Sequence, residues 1–320
     1  MKWIFKTPTD GKNKMRIKTF LTLFFLAFFL FAGLANAADQ KTFATPAEAV
    51  QALLKAAEDG NQDEMLAVFG DDGKDLVFSG DSVQDKAGLQ SFVKAYKTKH
   101  AIVTKDANTR ILQVGAKDWP MPIPLVKDGG KWRFDTAAGK EEILYRRIGH
   151  NELGAIAACR GFIDAQKDYA AVGHDGLPAG IYARRLNSEP GKQNGLYWET
   201  KEDEPASPAG PFLAQAEEEG YENVSMGKKG QPYHGYLYRI LKAQGPAASG
   251  GAKSYLTDGK LTEGVGLVAY PAQYKVSGVM TFITNQHGVV YQKDLGEKTT
   301  DIAAAMTEYN PDTTWTKVTD

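Results

Sequence analysis

The chain has 320 residues, and its 38 Lys and Arg side chains nearly balance its 39 Asp and Glu side chains. That balance excludes a protein built around a concentrated positive surface, so neither nucleic acid nor an anionic lipid surface is expected as a partner. Cys159 is the only cysteine, which excludes an intramolecular disulfide. Its place among alanines in a helical pattern predicts a buried, unreactive thiol.

The first 37 residues have the three-part layout of a secretory signal peptide. Residues 14–18 carry three cations, residues 21–34 are an unbroken apolar run, and residues 35–37 place small side chains where a signal peptidase reads them. We predict cleavage after Ala37, which leaves a periplasmic or secreted protein with no membrane attachment and a net charge of about −6. A retained N-terminal anchor is the alternative interpretation.

Residues 43–138 are predicted to form a first α+β domain that begins with three helices. Thr45 and Pro46 supply a hydroxyl cap and a proline at the first helical position, and apolar residues then recur at helical spacing. A second, short helix is expected after Asn61, and a third is expected with Asp85 as its cap.

Strands follow in the same domain. Residues 110–114 alternate in polarity, and residues 119–125 have proline at every second position, which suits an edge strand with few N–H donors on one side. A turn at residues 128–130 and a returning strand at 131–134 complete a hairpin.

Residues 139–320 are predicted to form a second α+β domain, in which a long helix packs on an antiparallel sheet. Residues 139–171 lack proline and carry an apolar stripe, whereas residues 172–232 are rich in Gly, Pro, Asn and Ser and form a loop-rich insertion. Turn signals and apolar alternation then predict a closing helix from Thr300 and strands over residues 233–241, 265–270, 279–284 and 289–293.

Several strings of the chain are distinctive: WPMPIPL at 119–125, WRFDT at 132–136, RRIGHNEL at 146–153, GLYW at 195–198, YHGY at 233–236 and GVMTF at 278–282. They resemble a bacterial exported family, domain-of-unknown-function family 2950, over nearly the whole chain after the leader. The resemblance implies no activity and supplies no catalytic residues.

Two further resemblances concern the fold. Paired helices followed by a curved sheet make the first domain similar to the cone-shaped domains of the NTF2/SnoaL type, which implies a pocket. Residues 151–169 and the strands after them resemble the globular heads of type IV pilins and pseudopilins. The apolar assembly helix of a pilin is missing from the expected place, so this resemblance implies a head-like fold and not a pilus subunit.

Five residues are candidates for ligand binding. Arg146 and Arg147 would hold a carboxylate or phosphate bidentately, with ion pairing along their own helix as the alternative. Trp198 and Tyr236 would line a groove, with burial in a core as the alternative. His234, expected in a strand among aromatic residues, is the best single histidine for binding, with a purely structural role as its alternative.

No motif predicts catalysis, a metal site or a cofactor. The chain lacks H-E-x-x-H and G-x-S-x-G, and in residues 245–254 Gly251 stands where a phosphate loop needs its lysine. We therefore predict a non-enzymatic binding or assembly factor of the cell envelope, whose partner is an envelope protein or a small ligand. The alternative is an envelope hydrolase acting on glycan or peptide with carboxylates from residues 172–232. Two carboxylates about 5–10 Å apart in an aromatic cleft would favour hydrolysis, and an apolar cavity would favour binding.

Overall fold

The computed structural model describes residues 40–201, 203–221 and 231–319. The predicted signal peptide lies outside these residues. The described chain begins with four helices, α1 (Pro46–Glu58), α2 (Gln62–Phe69), α3 (Lys74–Val77) and α4 (Ser82–Thr98).

Side-chain caps start these helices, because the first N–H groups of a helix have no partner within it. The Thr45 hydroxyl accepts the N–H of Glu48 at 3.2 Å, and the Asn61 side chain accepts the N–H of Glu64 at 3.0 Å. Both caps confirm the prediction. The cap predicted at Asp85 is wrong: α4 begins one turn earlier, where the Asp81 carboxylate accepts the N–H of Gln84 at 3.1 Å. Asp85 therefore lies within the first turn of α4.

An antiparallel sheet follows, made of β1 (His100–Thr104), β2 (Thr109–Val114), β3 (Trp119–Pro120), β4 (Leu125–Asp128) and β5 (Lys131–Phe134). The strand order is β1-β2-β4-β5, and β3 pairs with β2. The single strand predicted over residues 119–125 is wrong. Proline has no N–H to donate, so the strand is interrupted: β3 pairs with β2, and β4 pairs with β2 and β5. Between β3 and β4, Met121 and Ile123 lie in the core. The predicted hairpin of β4 and β5 is confirmed.

Helix α5 (Thr136–Ala171) is 36 residues long and spans about 54 Å. It confirms the long helix predicted from residue 139 and begins three residues earlier. The Thr136 hydroxyl donates to the carbonyl of Phe69 at 2.7 Å, which anchors this end of α5 to the first helices. Gly139 is required there, because a Cβ would lie 2.5 Å from the carbonyl oxygen of Pro122.

The segment after α5 has little regular structure before α6 (Gly210–Glu218). A second antiparallel sheet then forms in the order β14-β13-β12-β11-β6, and it confirms the four predicted strands to within three residues. Its elements and the short pairs beside it are β6 (Tyr236–Leu241), β7 (Ala243–Gln244), β8 (Lys253–Ser254), β9 (Leu256–Thr257), β10 (Lys260–Leu261), β11 (Gly266–Pro271), β12 (Met280–Asn285), β13 (Tyr291–Asp294), α7 (Thr299–Ala305) and β14 (Thr316–Lys317). Strand β11 is buried along its whole length, because α5 and α7 both pack on the sheet around it.

Buried hydrogen bonds join the helical region to the second sheet. Asn151 of α5 is fully buried; its side chain accepts from Gln84 at 2.6 Å and donates to the carbonyl of Ser277 at 2.8 Å. The Asp81 carboxylate accepts the hydroxyl of Tyr221 at 2.8 Å and the N–H of Gly235 at 2.9 Å. Buried and partly buried polar contacts therefore join the helices of the first half to the second half of the chain.

The α+β class is confirmed. The part of residues 38–320 that the structure describes groups into one compact unit, with two five-stranded sheets that each pack on a hydrophobic core. The domain boundaries at 43–138 and 139–320 stay a prediction. Among the described residues, no helix combines the length and the apolar character needed to cross a bilayer.

Candidate functional site

A cavity of about 690 Å³ lies between α4, the first half of α5 and the sheet of β1–β5. We call it the α4–α5 cavity. Its volume is in the range of small-molecule sites, about 300–1,000 Å³. The inner wall is formed by apolar side chains from α1 to α3, from β2 and from the segment between β3 and β4: Leu53, Met65, Phe69, Val77, Val114, Met121 and Ile123.

Small side chains on α4 leave this cavity open. Ala87, Gly88 and Ser91 lie within about one turn of each other on α4, and all three line the cavity. A Cβ added at Gly88 would meet no atom within 4 Å. The space in front of Gly88 is therefore unfilled by the fold itself.

The opposite wall comes from one face of α5. Ile143, Arg146, Arg147 and His150 recur at intervals of three and four residues and line the cavity. The Arg146 guanidinium lies 5.2 Å from the ring centroid of Trp119, whose side chain is 41 % exposed. Arg146 also pairs with Glu142, to which its Nε donates at 2.8 Å. The rim of the cavity thus carries an exposed cation on an aromatic ring.

Arg147 is half-buried, and its hydrogen-bond partners are backbone carbonyls instead of a carboxylate. Its Nη1 and Nη2 donate to the carbonyls of Asp75 and Leu76 at 2.6 and 2.7 Å. These carbonyls belong to α3, whose last turn leaves them without helical partners. Burial lowers the pKa of Arg147 below its ordinary value, while Asp85 and Asp75 act against that shift. Guanidinium stays charged in proteins, so Arg147 brings a positive charge with a fixed orientation.

Asp85 is the acidic side chain of the cavity lining. Its carboxylate accepts the N–H of Ser79 at 3.1 Å. Burial raises the pKa of Asp85, because desolvation disfavours the charged form, whereas Ser79 and Arg147 lower it. No second carboxyl side chain is among the described residues that line this cavity.

The structure brings two of the five candidate residues together, Arg146 and Arg147. Trp198 lies elsewhere, in a polar cavity of about 600 Å³ beside Tyr197 and against the ring of His174. Tyr236 is fully buried, and its hydroxyl donates to the carbonyl of Met280 at 2.9 Å. Its ring fills the space above Gly278, so Tyr236 is a core side chain.

His234 is not in a strand as predicted. Tyr233 and Tyr236 pair across a two-residue turn, in which His234 and Gly235 have φ values of 50° and 70°. Such a turn favours residues that tolerate positive φ. The His234 Nε2 lies 3.2 Å from a Glu219 carboxylate oxygen, within ion-pair distance but outside hydrogen-bond alignment. Burial lowers the pKa of His234, and Glu219 opposes that shift.

Reasoning from sequence missed Asp85, Gly88 and Ser91 as cavity residues. The available signal was the run of small and polar side chains in the first half of α4, next to its apolar stripe. Within the described part of the chain, no group of three or more His, Cys, Asp or Glu side chains is placed to hold a metal ion.

Comparison with known families gives one finding. The family described as "Protein of unknown function (DUF2950)" matches residues 40–318. Comparisons with curated proteins and with solved structures give no match.

Proposed function

The chain belongs to the DUF2950 family, whose description names no activity, and we propose that it is a non-enzymatic binding protein of the cell envelope. Its ligand is a small, largely apolar molecule held in the α4–α5 cavity. The observation that carries this proposal is a cavity of about 690 Å³ with an apolar inner wall and charged side chains at one side. Apolar walls with a few placed polar groups are typical of ligand sites. The expected likeness to NTF2/SnoaL domains, which enclose such pockets, is part of this proposal.

Hydrolysis is less well supported by the same cavity. A glycosidase needs two carboxyl groups about 5–10 Å apart, one of them a proton donor. The described lining of the α4–α5 cavity contributes Asp85 alone. One carboxyl group beside a guanidinium does not make that pair.

The polar cavity around Trp198 keeps the hydrolase as a second candidate, because carboxylates of the loop-rich segment line it as the sequence suggested. Glu189, Glu199 and Glu204 are among them. Lys192 and Arg185 lower the pKa of Glu189 to about 2, which is the opposite of what a general acid needs. Release of products from cell-wall fragments, lost in Glu199→Gln or Glu204→Gln, would favour this candidate over binding.

Export is part of the proposal and has its own test. A protein that begins at Ala38 should be recovered outside the cytoplasm, with its first residue identified by N-terminal sequencing. Recovery of the uncleaved chain in the cytosol alone would contradict export. The resemblance of the second half to pilin heads supports a role in recognition. It does not support polymerisation into a pilus.

The binding proposal is tested with N-phenyl-1-naphthylamine, a neutral fluorophore that brightens in apolar surroundings. We expect saturable fluorescence with the wild-type protein and its loss in Gly88→Leu, because the new side chain occupies the cavity. Gly149→Leu is the matched control: Gly149 is also within a helix and also has no atom within 4 Å of an added Cβ, but it does not line the cavity. Equal binding by the two variants would refute the site.

A further inference from the structure

We propose that the ligand of the α4–α5 cavity is an amphiphile whose oxyanion head, a carboxylate or a phosphate, binds at Arg146 and Arg147. This inference rests on the proposed binding function and names the class of molecule that the cavity takes. It follows from the charges of the lining, from the way each arginine is held, and from the apolar wall opposite them.

The lining carries more positive than negative charge at one place. Arg146 and Arg147 come from the same turn of α5, and Asp85 on α4 is the acidic side chain among the described lining residues. An uncharged ligand would leave these two guanidinium groups facing an apolar space. An oxyanion would neutralise it, and guanidinium groups bind carboxylate and phosphate with paired hydrogen bonds.

Arg147 is preorganised for this role. Its two hydrogen bonds go to the neutral carbonyls of Asp75 and Leu76, which orient the guanidinium without cancelling its charge. The carboxylate of Asp75 is itself engaged, because it lies 2.6 Å from the Lys140 ammonium. A half-buried cation gains more from an incoming anion than an exposed cation does.

Arg146 supplies an adaptable contact at the rim. Its Nε and Nη2 both point at one oxygen of Glu142, four residues earlier on the exposed surface of α5. An exposed pair of this kind contributes little to stability, so a ligand anion competes with it readily. The Trp119 ring under the guanidinium keeps the side chain at the mouth of the cavity.

Asp85 is the group that would oppose an anion. The Ser79 N–H donates to its carboxylate at 3.1 Å, and the positive charge of Arg147 acts against the charge of Asp85. The apolar inner wall, which includes Leu53 and Ile123, then accepts the remainder of the ligand. The arrangement separates an oxyanion end from an apolar end, which is the layout of an amphiphile.

The experiment is displacement of N-phenyl-1-naphthylamine from the wild-type protein by decanoate, decyl phosphate and 1-decanol, which share one alkyl chain. We expect at least one of the two anions to displace the fluorophore at about tenfold lower concentration than decanol, the effect of one charged hydrogen bond. The stronger anion identifies the head group. Added salt should reduce the advantage of the anion and leave decanol unchanged.

Arg146→Gln should reduce that advantage, and Arg147→Gln should reduce it further. Arg110→Gln is the control, because the Arg110 guanidinium also lies over a tryptophan, 5.0 Å from the Trp132 ring, outside the cavity. Equal displacement by decanol and by both anions, in the wild-type protein at low salt, would overturn the inference while the binding function stands. Absence of any fluorophore binding would instead overturn the binding function.

Discussion

Filling the α4–α5 cavity should make the protein more stable while it removes binding. Gly88 lies in the interior of α4 without a positive φ, and a Cβ there meets open space. A larger residue is therefore accepted without backbone strain. Most substitutions destabilise a protein, so a stabilising effect at this position is a discriminating expectation.

The magnitude has two parts. Replacing a mid-helix glycine by leucine gains about 0.8 kcal/mol through helix propensity alone. Burying the leucine side chain against the apolar wall adds up to about 1.5–3 kcal/mol, and roughly half of that for a side chain at an open mouth. We expect Gly88→Leu to raise the free energy of unfolding by about 1.5–2.5 kcal/mol. Gly149→Leu, which gains propensity without a cavity, should gain only about 0.8 kcal/mol.

Urea unfolding of the wild-type protein and both variants measures these differences. The comparison that matters is between the two variants, because helix propensity contributes to both. A Gly88→Leu protein that is no more stable than Gly149→Leu would show that the leucine does not enter the cavity. That result would refute the argument that α4 keeps the cavity open by its small side chains.

Three further predictions concern the buried polar and ionisable groups. Asp81→Ala removes the acceptor of three hydrogen bonds and should cost about 3 kcal/mol or more in urea unfolding, whereas Tyr221→Phe removes one donor and should cost about 1 kcal/mol; equal losses would contradict the network. Burial raises the pKa of Asp85, so the folded state binds that proton more tightly than the unfolded chain, and stability falls as the pH rises past about 4. Asp85→Asn should remove that part of the decline in unfolding free energy, and unchanged pH slopes in the two proteins would contradict it. Burial raises the pKa of the Cys159 thiol to about 12, so a disulfide reagent should label Cys159 only after unfolding; rapid labelling of the native protein would argue against a closed core.

The elements that sequence predicted well are those with a strong local signal. Helix α5 shows a stripe of apolar residues over many turns, and strands β11 and β12 combine apolar residues with turns at their ends. Such periodicity is read within a short window of the chain, so tertiary contacts seldom override it. The errors lie where two local solutions are nearly equal, such as Asp81 or Asp85 as the cap of α4.

The placement of His234 shows the limit of local reasoning. Its neighbours Tyr233 and Tyr236 have strand propensity, yet His234 and Gly235 form a tight turn. The His234 ring packs against Gly154 of α5. A glycine eighty residues away makes room for that ring. No pattern within the YHGY string contains this information.

By itself, the sequence determined the α+β class, the long helix α5 and the strands of the second sheet, because these depend on periodicity along the chain. It also placed Arg146 and Arg147 on one helix as an anion-binding candidate. Only the tertiary structure decided that they face an apolar cavity, that Trp198 lies beside another one, and that Tyr236 is buried. A cavity is the space left where α4, α5 and the first sheet fail to meet, and distant residues set its boundaries together.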